Sequence, residues 1–147
     1  MDGTAASLAA YGKMLGASSV ISGVVPQISV IAGTCAGTAA MLACSSDFVI
    51  MTKESEFFMA PNSSSGSAEA AAKSGIASAV CDDDKAAIEK ARDLVNILPV
   101  NNLAPVPMFE FAENSPVSGT DLKSIINSAA DADSEIEISA EFGNASY

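Results

Sequence analysis

Apolar positions fall into short runs along this chain, and the spacing inside each run changes from one to the next. Leu8, Tyr11, Met14, Leu15 and Ile21 recur among small residues, which predicts a helix over residues 4–21. Val24–Ile31 is nearly continuous in β-branched residues and reads as a strand of a sheet covered on both faces. Thr34 is placed to cap a short Ala-rich helix, Cys35–Cys44. Two more buried strands follow, Asp47–Met51 and Glu56–Met59, and then a loop by composition at Asn62–Gly66. A helical turn, Ala68–Lys73, should end at Gly75, with another strand at Ile76–Val80. Asp82, Asp83 and Asp84 then supply a cap and an acidic first turn for a helix Lys85–Leu98. Along it Ile88, Ala91, Leu94, Val95 and Leu98 repeat at helical spacing. Pro99–Pro107 reads as a linker. Thr120–Ala129 reads as a helix capped by Thr120 or Gly119, and Glu135–Ala140 alternates as an exposed-edge strand does. Strands and helices in alternation make the fold class α/β.

One junction raises a chemical question. The strand ending at Ile31 hands over to a helix through Gly33, Ala36, Gly37 and Thr38. Peptide N–H groups at Gly37 and Thr38 would lie at the positive end of a helix dipole, where they can hold an anion or a developing oxyanion. Glycines at such a junction also serve tight packing, and the residues alone leave both readings open. No G-x-x-x-x-G-K-[ST] or G-x-G-x-x-G pattern is present, so this is not a known phosphate loop.

Composition narrows the chemistry. The net charge is −11, and residues 81–147 carry −9 of it. Arg92 is the only arginine and no basic stripe exists, which excludes binding along a nucleic-acid backbone and attraction to an anionic membrane. The longest apolar stretch, near Val24–Met41, is broken by Pro26, Gln27, Gly33 and Gly37, so no membrane span is expected. There is no histidine, which removes Ser-His and Cys-His nucleophile pairs and most zinc sites. Cys35, Cys44 and Cys81 lack metal spacing and read as buried reduced thiols of a cytoplasmic protein. The acid run at Asp82–Asp84 complements a helix dipole rather than a metal, and no metal is expected. Met1-Asp2-Gly3 starts with an acid, so no secretory leader is expected.

Three ordered blocks carry a more specific signal. "SGVVPQISVIAGTCAGTAAMLACSSDFVIM" (Ser22–Met51) closely resembles the carboxyltransferase subunits of biotin-dependent acyl-CoA carboxylases and decarboxylases. That family reads S-G-V-[IV]-P-Q-I-[SA], a glycine, C-A-G-G and then [TS]-D-F. "AKSGIASAVCDDD" (Ala72–Asp84) resembles its S-G-[VI]-A block, and "LVNILPVNNLAP" (Leu94–Pro105) its L-P-x-N-N block. Met1-Asp2-Gly3 looks like the tail of the family's Q-E-G. Departures occur at Thr38, where the family has a second glycine, and at Thr34, which is often proline. The segment after Glu56–Pro61 is also shorter than in the family.

The resemblance implies a crotonase-like fold built of ββα superhelical turns. Residues 1–105 would be the latter half of the N-terminal domain, and residues 106–147 a linker, helix and first strand of a second such domain. It implies transfer of a carboxyl group between carboxybiotin, held on a separate carrier protein, and the α-carbon of an acyl-CoA. Gly37 and Thr38 would stabilise the thioester enolate, while Gly33 and Ala36 would line the substrate's approach. The expected partners are acyl-CoA, a biotin carrier protein and other carboxyltransferase chains. Two alternatives stay open. One is a generic crotonase-like acyl-CoA hydratase or decarboxylase, which would need an acid such as Glu54 or Glu56 near the thioester. The other is a non-catalytic assembly piece, which acyl-CoA binding would separate from both. The chain is not itself the carrier: Lys13-Met14 lies on a predicted helix, not in a hairpin turn.

Overall fold

The computed structural model describes residues 4–60, 66–110, 121–131 and 134–142. Five helices and five strands occur among them: α1 Ala5–Ile21, β1 Ile28–Ile31, β2 Thr34–Ala36, α2 Thr38–Cys44, β3 Phe48–Thr52, β4 Glu56–Phe58, α3 Ala68–Lys73, β5 Ala79–Cys81, α4 Asp84–Ile97 and α5 Leu122–Ala129. Every pair of these strands is parallel. One sheet has the order β1-β3-β5, with Ile28 opposite Phe48 and Met51 opposite Val80. The second joins β2 to β4, with Cys35 opposite Phe57.

Two cores sandwich the three-stranded sheet. On one face Ala40 and Ala43 of α2 and Ala68, Ala71 and Ala72 of α3 pack with Ile31, Val49, Met51 and Phe57. On the other face Ala87 and Leu94 of α4 pack on Ile50, with Ile28, Phe48 and Ile136 around them. The central strand β3 is buried on both faces, which is why its sequence reads as an unbroken apolar run. The alanines let helices lie close to the sheet.

Helix starts follow local chemistry. Thr4 accepts from the Ser7 N–H, Ser67 from Ala70 and Asp83 from Ala86, each satisfying a donor that a helix N-terminus leaves unpaired. The last helix is capped by Asp121, which accepts from the Ser124 N–H. The proposed caps Gly119 and Thr120 lie outside the described residues, as does most of the expected loop at Asn62–Gly66.

Five expectations need correction. The strand expected over Val24–Ile31 is confined to Ile28–Ile31. The N–H groups of Val24 and Val25 turn back to the Ile21 carbonyl, and Gln27 N–H donates to Asp47 Oδ2 at 2.8 Å, so this stretch has no ladder to join. The helix expected at Cys35–Cys44 is divided: Thr34–Ala36 is strand, Gly37 is the N-cap, and the helix begins at Thr38. The strand at Ile76–Val80 starts only at Ala79, because the Ile76 and Ala77 N–H groups bond to the Ala71 carbonyl. Glu135–Ala140 is not a strand. Ser139 N–H donates to the Ser78 carbonyl at 2.7 Å, but Ser139 has φ +54°, which breaks an extended ladder. The thiols are free, as expected, but none is fully buried: Cys35 and Cys81 are half-buried and Cys44 is exposed.

Candidate active site at the Gly37 turn

Parallel pairing of β2 with β4 builds the turn. Glu56 N–H donates to the Gly33 carbonyl at 3.1 Å, and Gly37 N–H donates to the Phe58 carbonyl at 2.8 Å. These two bonds extend the ladder at both ends of β2. Gly37 has φ +61° and ψ −125°, a conformation that side-chain-bearing residues avoid, and the chain reverses there into α2. No side chain among the described residues caps α2. Its first helical bond is Met41 N–H to the Gly37 carbonyl at 3.0 Å. The N–H groups of the first helical residues therefore lie outside the α2 ladder, at the positive end of its dipole.

The two expected donors are not equivalent. Gly37 N–H is committed to Phe58. Thr38 is half-buried, and its N–H takes no partner among the described residues. Gly33 is exposed and Ala36 half-buried, at the two ends of β2. A methyl group added at Gly33 or Gly37 would meet nothing within 4 Å. Packing among the described residues thus requires glycine at neither position; the backbone angle requires it at Gly37.

The nearby ionisable groups are placed away from this donor. Thr34 Oγ1 donates to Glu56 Oε2 at 3.1 Å, at the opposite end of β2 from Thr38. Three strand residues separate these ends by about 10 Å. Burial, and then the neighbouring Cys44, pushes the Cys35 thiol up, so it stays protonated near neutrality and is a poor nucleophile. Partial desolvation of the sulfur also raises Cys44, although that residue is largely exposed, and Cys81. No group of three or more Cys, Asp or Glu that could hold a metal occurs among the described residues.

Two of the singled-out blocks do structural work instead. Asn102 N–H donates to the Val24 carbonyl at 2.8 Å, joining the "SGVVPQ" block to the "LPVNN" block. They border an apolar cleft of about 340 Å³ with Phe48 and Leu98. Gln27 ties this end to α1, accepting from Ser18 Oγ at 2.6 Å. A larger cavity of about 670 Å³ lies between α3, β5 and residues 137–141, and no residue of the Gly33–Thr38 turn lines it. The role of the Phe58 carbonyl escapes sequence reading, since nothing local announces a parallel partner.

The model of the carboxyl transferase domain family matches residues 1–145. The chain belongs to this family. It is similar to the methylmalonyl-CoA carboxyltransferase 12S subunit of Propionibacterium freudenreichii subsp. shermanii, 38% identical over 82% of this chain and 25% of that protein. The propionyl-CoA carboxylase beta chain of Roseobacter denitrificans is 30% identical over 92% of this chain and 32% of its own length. Among solved structures, transcarboxylase 12S with methylmalonyl-coenzyme A and methylmalonic acid bound superimposes with a TM-score of 0.82 at 32% identity. That match covers 92% of this chain and 32% of that one. The chain thus spans about a third of its relatives' length or less. The crotonase-like fold implied by the sequence blocks holds. No helix among the described residues is long and apolar enough to cross a membrane.

Proposed function

We propose that this chain forms the enolate-stabilising half of a carboxyltransferase site that moves a carboxyl group between carboxybiotin and the α-carbon of an acyl-CoA. The observation that carries this reading is the uncapped start of α2, where Thr38 N–H takes no partner among the described residues and no side chain stands at Gly37. Thr38 N–H donates to the thioester oxygen as negative charge develops on it, and the α2 dipole adds to that stabilisation. Gly37 acts through its backbone angle rather than its N–H. Gly33 and Ala36 border the approach of the acyl group.

Carboxybiotin, delivered on a separate carrier protein, supplies the carboxyl group. The residues of this turn bind and orient the thioester; none of them is placed to exchange a proton with it. The relatives' names point to short acyl groups such as propionyl. Residues 106–147 belong, on this reading, to the linker and first part of a second domain, and other carboxyltransferase chains complete the site. A cytoplasmic location fits the same reading.

Glu56 is not placed to serve as the acid that the hydratase alternative needs. Its carboxylate is held by Thr34 at the far end of β2, out of reach of a thioester seated at Thr38. Equilibrium dialysis with propionyl-CoA tests the proposal. Saturable binding that is lost in Thr38→Pro, without carboxyl transfer by the chain alone, is the expected result. Absence of binding would favour a non-catalytic assembly role.

A further inference from the structure

Strand β5 is an edge of the three-stranded sheet, and an open edge invites another strand to add to it. Residues 136–142 run past that edge and touch the earlier part of the chain at three points. Ile136 packs with Ile50 of β3 and with Ala87 and Leu94 of α4, on one face of the sheet. Ser139 N–H donates to the carbonyl of Ser78, just before β5, at 2.7 Å. Phe142 lies against Gly75, just beyond α3, on the other face; a methyl group added at Gly75 would stand 2.8 Å from its ring. The segment therefore crosses from one face of the sheet to the other around the β5 edge.

Between those points the segment is held loosely. The cavity of about 670 Å³ lies beneath it, with Ala72, Ala77 and Val80 on one wall and Ser139, Ala140 and Glu141 on the other. Ser139 has φ +54° and is the one left-handed residue other than glycine among the described residues. Such a conformation persists only where its surroundings hold it, and here the anchors on either side do so. The kink also has a use. The chain makes one hydrogen bond to the edge and then turns away, so it covers β5 without presenting a new edge of its own.

We propose that residues 136–142 form a strap that closes the β5 edge and opens as a unit while the sheet stays folded. Opening relieves the strain at Ser139, frees the Ser78 carbonyl and uncovers the cavity. Few apolar anchors, a cavity beneath and a strained centre place the strap at the low-stability end of the molecule. Glu137 pairs with Lys123 at 2.8 Å on the surface, so α5 is tied to the strap rather than to the sheet by this pair. The inference does not depend on carboxyl transfer.

Native-state hydrogen exchange of the purified chain, followed amide by amide, reads the strap directly. The Ser139 amide should be protected, because it is bonded to Ser78, yet it should exchange about tenfold or more faster than the amides of β3. Phe142→Ala removes one anchor and should speed exchange at position 139 by about tenfold again. Ser139→Asn places there a residue that tolerates the left-handed region and should slow it by about twofold or more. The amides of β3 should keep their rates in both variants. A Ser139 amide that exchanges as fast as an exposed peptide would overturn the proposal, because the strap would not be closed. So would a Ser139 amide that exchanges only at the rate of β3, or variants that shift both sets of amides together, because no separate opening would then exist.

Discussion

The peptide N–H of Gly37 points into the β2–β4 ladder and donates to the carbonyl of Phe58 at 2.8 Å. One hydrogen bond therefore fixes where the strand ends and the helix begins. The next N–H, that of Thr38, is the first donor after it without a partner among the described residues. Everything proposed for the turn depends on that division of labour.

Gly66 protects the same arrangement from behind. A methyl group at Gly66 would overlap the Phe58 ring, and the Gly66 carbonyl accepts from Phe57 N–H at 2.6 Å. Gly66→Ala should cost roughly 1–3 kcal/mol, as overpacking a tight contact does. Thermal denaturation of Gly66→Ala, Phe58→Leu and the double variant checks it. The double variant should recover part of the loss, because the smaller side chain vacates the space; equal losses with no coupling would place the strain elsewhere.

Much of this fold is legible in the sequence, and the legible parts are local. Thr4, Ser67 and Asp83 cap helices because each side chain reaches a peptide three residues ahead, and that spacing is visible in the string. Pairing is not visible in this way. The Val24–Ile31 run is β-branched, yet only Ile28–Ile31 finds a partner. Glu135–Ala140 alternates as a strand should, yet a left-handed Ser139 breaks it. At the candidate site the glycines and Thr38 stand out by residue type. The loss of the Gly37 donor to Phe58 depends on a parallel neighbour that only the folded chain brings close.

Acid should loosen the sheet's carboxyl end. Lys53, at the end of β3, pairs with Asp82 just after β5 and holds its carboxyl below the usual aspartate range. Lys73 does the same to Glu69, and Lys123 to Glu137. A depressed folded value means the stabilisation is present above the unfolded carboxyl's range and is lost as pH falls through the folded one. All three pairs are exposed, so the effect should be small and weaker in high salt. Urea denaturation midpoints across the carboxylate range check this. Lys53→Met should flatten part of the acid-side decline, and a midpoint that rose on acidification would contradict the pairing.

Gly37→Ala should destabilise through the backbone. The space beside Gly37 is open, so no clash arises, but φ +61° with ψ −125° costs about 1–3 kcal/mol for a residue with a side chain. Gly33→Ala has open space and no such backbone demand, so it should be nearly silent in stability. Melting temperatures of the two variants check the contrast. If both fell equally, the demand on Gly37 would not be conformational.

Thr38→Pro isolates the proposed donor. Proline lacks an N–H, and the first position of a helix is where proline is best tolerated, because that N–H has no helical partner. Thr38 occupies that position in α2, directly after the Gly37 cap. The substitution should therefore leave folding nearly unchanged while removing the group aimed at the thioester oxygen. In a complete carboxyltransferase carrying this domain, loss of one oxyanion donor should cost on the order of 10²–10³ in turnover. Thr38→Gly keeps the N–H and restores the glycine that the resembling family carries there, so its activity should equal or exceed that of the unsubstituted enzyme. The deciding measurement is acyl-CoA carboxylation by both variants, with circular dichroism confirming equal folding. Full activity in a folded Thr38→Pro enzyme would mean that the thioester oxygen is held elsewhere, and that the open start of α2 plays no part in the chemistry.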